Sequence, residues 1–162
     1  MAEPNYSSII QRILDILKAD ESFSKKISEF RFGELPEQIN ANSFPACFVT
    51  PASNPEVSRD SIGSATSLGK LPAQKIVSEF WVVLVSAPKA TPSDAQKQIY
   101  ELKGDVITLL GKNTQLRKSD GTEPQCSSLA IHAQPRFTKQ RGKIVDSMTV
   151  AIRTVNYTKS PE

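Results

Sequence analysis

Lys75-Ile-Val-Ser-Glu-Phe-Trp-Val-Val-Leu-Val-Ser86 is the stretch that decides the fold. Side chains alternate between the two faces of a strand, so Ile76, Phe80, Val82 and Leu84 share one face and Val77, Trp81, Val83 and Val85 the other. Both faces are apolar toward its C-terminal half. A strand of this kind belongs inside a sheet, with helices over one face and further protein or a partner subunit over the other. Polar Ser78 and Glu79 predict that its first half emerges from the core.

Downstream, Thr91-Pro-Ser-Asp94 starts a helix: Thr91 caps, Pro92 suits the first turn, and Asp94 meets the positive end of the dipole. Ala95, Ile99, Leu102, Val106, Leu109 and Leu110 follow at helical spacing, and Gly111 supplies the stop. Upstream, Ser8 and Gln11 form a capping box ahead of Ile9, Ile10, Ile13, Leu14 and Leu17, a first amphipathic helix with Gln11, Arg12, Asp15 and Lys18 on its polar face. Phe23, Ile27 and Phe30 continue the spacing and predict a second helical segment over residues 22–30. Glycine, prolines and asparagines make 31–45 irregular. The burst Ala46-Cys-Phe-Val-Thr50 then reads as a short buried strand, closed by Pro51 and Pro55.

Residues 52–73 are rich in serine, glycine and proline and poor in large apolar side chains. A loop of this length in a compact domain usually has a use. It reads either as a surface loop or weak-stranded hairpin, or as an arm that orders against a neighbour. Arg59, Asp60, Ile62, Leu68 and Lys70 are its candidate contacts. After a polar stretch at 113–128, residues 129–133 and 136–139 read as strand pieces bent at Pro135. Residues 140–143 form a hairpin tip, and 144–157 return as a long strand. The fold class is α+β: a mainly antiparallel sheet with two long amphipathic helices packed on one face, plus a long extended arm or loop. One domain spans 1–162, with a helical region at 8–30, the arm at 52–73, a strand-helix-strand core at 74–157 and a tail at 158–162.

Length and composition agree with one domain. The chain has 162 residues, 38% hydrophobic and 23% charged, enough to bury roughly two-thirds of its unfolded surface. No membrane segment or signal peptide is expected, since the apolar run at 9–17 is interrupted by Gln11, Arg12 and Asp15. The net charge is +3, too small to mark a nucleic-acid binder. Its distribution is uneven: 11 basic and 13 acidic residues precede Lys112, a balance of −2, and 9 and 4 follow from there, a balance of +5.

Histidine excludes most chemistry, because His132 is the only one and it is joined by just two cysteines, Cys47 and Cys126. Zinc fingers and multi-histidine metal sites are out. No Gly-x-Ser-x-Gly turn presents a nucleophile, no phosphate-cradling glycine motif occurs, and carboxylate pairs such as Glu34 with Glu37 lie in polar settings. Cys47 or Cys126 with His132 remains open as a thiol-imidazole pair, although neither cysteine adjoins a feature that lowers its pKa. No cofactor and no metal ligand set is expected. Arg136, Lys139, Arg141 and Lys143 surround the hairpin tip, and serve either as phosphate contacts or as a charge-complementary protein contact.

The order of elements resembles the tail terminator and tail-completion proteins of tailed viruses. The resemblance runs over residues 8–157, through IIQRILDILKAD, FPACFVTP, the flexible segment after it, KIVSEFWVVLVSAP, TPSDAQKQIYELKGDVITLLG and RGKIVDSMTVAIRTVNY. It implies a non-enzymatic virion protein, assembled in the host cytoplasm. Such a protein forms a hexameric ring that caps the tail tube, stops its polymerisation and joins the tail to the neck. Its partners are then itself, the tube protein, a neck or connector protein and, in a contractile tail, the sheath protein, with DNA only passing through the lumen. Another neck component, a stopper or connector, and a nucleic-acid adaptor using the basic hairpin are the competing readings.

Overall fold

The strand read from residues 75–86 lies in the middle of a five-stranded sheet. The computed structural model describes residues 4–33, 44–62, 73–87, 89–118, 124–134 and 147–158. In chain order these form α1 (Tyr6–Ala19), α2 (Glu21–Lys26), β1 (Glu29–Phe32), β2 (Ala46–Ile62), β3 (Ala73–Val85), α3 (Pro92–Gly111), β4 (Ser128–Gln134) and β5 (Ser147–Thr158). The sheet order is β1-β2-β3-β5-β4; β1 and β2 run parallel and every other pair is antiparallel. The chain is therefore α+β, with a mainly antiparallel sheet and two long helices.

Alternation along the strands sets the layers. Cys47 and Val49 of β2, Phe80, Val82 and Leu84 of β3, and Met148, Val150 and Ile152 of β5 share the face that meets the helices. Opposite them, α1 contributes Ile9, Ile13, Leu14 and Leu17, and α3 contributes Ile99, Leu102, Val106 and Leu110. Each such buried side chain is worth about 1.5–3 kcal/mol relative to exposure, which makes this layer the main source of stability. The other face holds a smaller buried cluster of Ala46, Phe48 and Val85, with Phe44 and Val83 packed on it.

Thr91 caps α3 by accepting from Asp94 N, with Pro92 in the first turn. The start of α1 differs from the expected capping box: Asn5 is the cap, and its Oδ1 accepts from Ser8 N at 3.1 Å. Gln11 instead donates to Asp15 Oδ1 one turn along. Helix α2 also stops short of Phe30. Ile27 turns extended, and Phe30 joins β1 opposite Cys47 while its ring still meets Phe23 edge-on. Apolar spacing of three and four cannot distinguish a longer helix from a short helix followed by a strand on the same core.

Two further expectations are corrected. Ser78 does not emerge from the core; it is fully buried, with its hydroxyl 3.4 Å from the Tyr6 hydroxyl. Arg12 leaves the polar face of α1 and is only 8% exposed, held by the Leu116 carbonyl. Burial of both is compatible with their chemistry because each finds a hydrogen-bonding partner.

Candidate functional site

Pro51 and Pro55 do not close β2. The strand runs through both to Ile62 and pairs with β3 along its length, so much of the segment expected as a loop or arm is the outer strand of a long hairpin. The bond from Gly33 N to Val49 O fixes which backbone groups face which neighbour. In an antiparallel ladder the N–H and C=O of a residue point the same way, and alternate along the strand. Val49 thus faces β1, Thr50 faces β3, and the imide nitrogen of Pro51 faces outward, where β1 has already ended at Phe32 opposite Val49. Proline here removes no bond of the β2–β3 ladder. A register shift between Pro51 and Glu56, and another before Ser58, absorb the extra residues around Pro55 as a bulge.

Beyond the bulge, Glu56, Val57, Arg59, Asp60 and Ser61 are exposed. Arg59 is anchored on its own hairpin, donating from Nε to Glu56 and from Nη1 to Gln74 Oε1 at 2.8 Å. Asp60 stands opposite Lys75 in the ladder, and Ile62 opposite Ala73. Of the sequence-derived contact residues, Arg59, Asp60 and Ile62 are brought together on one strand. Leu68 and Lys70, and the basic set Arg136, Lys139, Arg141 and Lys143, lie outside the described residues.

The backbone does not bring either cysteine beside His132. Cys47 lies on β2 and His132 on β4, with β3 and β5 between them. Cys126 precedes β4 and is six residues from His132, about 20 Å along extended chain. Burial pushes both thiols up to about 12, so neither is a ready thiolate. Among the described residues no cluster of three histidine, cysteine, aspartate or glutamate side chains could hold a metal, and no helix is long and apolar enough to cross a membrane.

Two hollows carry no sequence signal, because their walls come from separated segments. One of about 160 Å3 lies on the sheet face away from the helices, between Gly33, Phe48, Pro51 and Trp81. It has room for about one apolar side chain. A larger cleft of about 720 Å3 borders the polar side of α1 and the turn after α3, with Gln11, Asp15, Asn113 and Arg117 in its wall. Asn113 stiffens that turn with a pair of 2.8 Å bonds, its Oδ1 accepting from Arg117 N and its Nδ2 donating to Arg117 O.

Compared with known proteins, the chain matches no family model, and none of the curated proteins is similar to it in sequence.

Proposed function

We propose that the protein is a structural subunit of a viral tail, which closes with copies of itself into a hexameric ring on the tail tube. Capping the tube ends its growth and offers the neck a surface on which to dock. The observation that carries this reading is the β2–β3 hairpin, whose outer strand is exposed from Glu56 through Ser61 except for half-buried Ser58. A ring subunit needs a projection that meets a different patch on the next copy, since head-to-tail contacts are what a closing rotation repeats. A regular strand held in register by β3 is a stiffer projection than a loop, and orders against a neighbour at lower entropic cost. The element order of the tail terminators supports the same assignment.

The test is native mass spectrometry of the purified full-length chain, alone and with the tube protein of the same virus. A six-subunit ring, and its capture by the tube protein, are expected. A protein that stays monomeric in both conditions overturns the proposal. A ring that binds a portal or connector protein but not the tube replaces the terminator role with a stopper or connector role.

A further inference from the structure

We infer that the sheet continues between subunits: strand β4 of one copy adds antiparallel to the outer edge of β2, at residues 58–61, of the next. The inference rests on the ring reading and names the surfaces that close it.

The argument begins with the backbone. Thr50 faces β3, so Trp81 opposite it faces β2, and by alternation along the unshifted β3–β5 ladder so do Val77 and Lys75. Their partners Ser58 and Asp60 therefore bond inward, and the N–H and C=O of Arg59 and Ser61 point outward. On the far side of the sheet, Val155 O accepts from Ser127 N and so faces β4. Ser128, opposite Val155, bonds inward, which leaves the backbone groups of Leu129, Ile131 and Ala133 pointing outward. Among the described residues no strand pairs with either set.

The two edges suit one another. Strand β4, SLAIHAQ, has no lysine, arginine, aspartate or glutamate, no proline and no shift in register. It lacks the devices that normally keep an edge strand from pairing. The outer edge of β2 is guarded at Pro51, Pro55 and the bulge, which confines pairing to the stretch past them. Polarity agrees as well: β2 and β5 run the same way and β3 and β4 the opposite way, so a copy placed head to tail in the same orientation presents its β4 antiparallel to β2. Antiparallel pairing is the better-aligned arrangement. Two copies of β2 pairing about a two-fold axis centred on the same stretch would instead set Arg59 against Arg59 or Asp60 against Asp60, which like charges disfavour. Contact between two different edges is heterologous and repeats around a ring.

Amide hydrogen exchange tests this on the intact chain, above and below the concentration at which it assembles. The amides of Arg59 and Ser61, and two adjacent ones of the outward set Leu129, Ile131 and Ala133, are expected to slow by at least about tenfold on assembly, because two outward carbonyls on β2 accept two donors. Those of Ser58 and Asp60, already bonded to β3, serve as controls and change little. A ring whose outward amides exchange as fast as in the monomer overturns the inference and leaves the ring reading intact. A dimer that protects only one of the two edges overturns it in favour of two-fold pairing, and a chain that never assembles overturns both. A second variant guards against misfolding: Ser61→Pro deletes an outward donor that the intramolecular ladder does not use. It is expected to abolish the oligomer while its circular dichroism and melting temperature stay near those of the parent. An S61P protein that folds and still forms rings also overturns the inference.

Discussion

Arg12 of α1 donates from Nη1 to the carbonyl oxygen of Leu116 at 3.0 Å, a bond that joins residues 104 apart in sequence. Leu116 is fully buried and adopts a left-handed backbone conformation, with φ of +51°. Its side chain enters the core while its carbonyl turns toward α1. The guanidinium is a suitable donor because it has several N–H groups in a rigid fork. Further bonds hold the same turn, among them Gln125 N to Gln115 O, Cys126 Sγ to Thr114 O, and the Asn113 pair with the backbone of Arg117.

Replacing Arg12 with methionine keeps the stem and removes the donor, leaving a buried carbonyl without that bond. A loss of about 1–3 kcal/mol is expected. Urea unfolding of R12M against the parent measures it, and a stability within about 0.3 kcal/mol of the parent would refute the role assigned to Arg12.

The orientation of β2 makes neighbouring residues respond oppositely to proline chemistry. Pro51→Thr restores a donor that faces outward, so stability is expected to stay within about 0.5 kcal/mol. Thr50→Pro deletes a donor aimed at β3 and is expected to cost at least about 1–3 kcal/mol. Chemical denaturation of the two variants side by side checks the phase of the ladder.

Thr154 and Asn156 lie on the buried face of β5, and among the described residues the Oγ1 of the first has no hydrogen-bonding partner. Thr154→Val removes a buried hydroxyl that bonds to none of the described residues, so it is expected to be neutral or stabilising. Asn156→Leu breaks the 2.9 Å bond from Nδ2 to Gln125 O and is expected to destabilise by about 1–2 kcal/mol. In thermal melts the Asn156→Leu midpoint should fall, while that of Thr154→Val holds or rises.

Stability is expected to fall above pH 9, through two buried thiols. Burial raises Cys47 and Cys126 from 9.0 to about 12 in the folded chain. Between those values the unfolded chain loses thiol protons that the folded chain retains, so unfolding is favoured as pH rises. Each thiol contributes a slope of about 1.4 kcal/mol per pH unit at most. The raised pKa of Lys26, held at about 12 mainly by its hydrogen bond to Glu101 and then by Asp105, acts in the same direction. That pairing stabilises the fold below the ordinary lysine value and is lost as pH rises through 12. Urea titrations from pH 8 to 10.5 should show a shallower decline in a Cys47→Ala, Cys126→Ala double variant, which keeps only the lysine and whatever other groups titrate there.

Periodicity by itself determined the central strand and the two long helices. These are long segments in which burial, propensity and capping agree: Phe80, Val82 and Leu84 alternate, Ile99, Leu102 and Val106 recur at helical spacing, and Thr91 with Pro92 marks a start. Composition likewise confined imidazole and thiol groups to His132, Cys47 and Cys126. The rest depended on contacts between segments distant in the chain. Phe30 joined β1 because a strand at 46–49 was there to pair with it. Pro51 became part of a strand because β1 ends opposite Val49, leaving its nitrogen no bond to make. Arg12 was buried because Leu116, 104 residues later, offers a carbonyl. A backbone group's partner depends on which strand lies alongside it, and no local pattern of side chains encodes that. Which strand edges are left unpaired among the described residues was therefore decided by the tertiary structure, while the core they border was already written in the order of apolar residues.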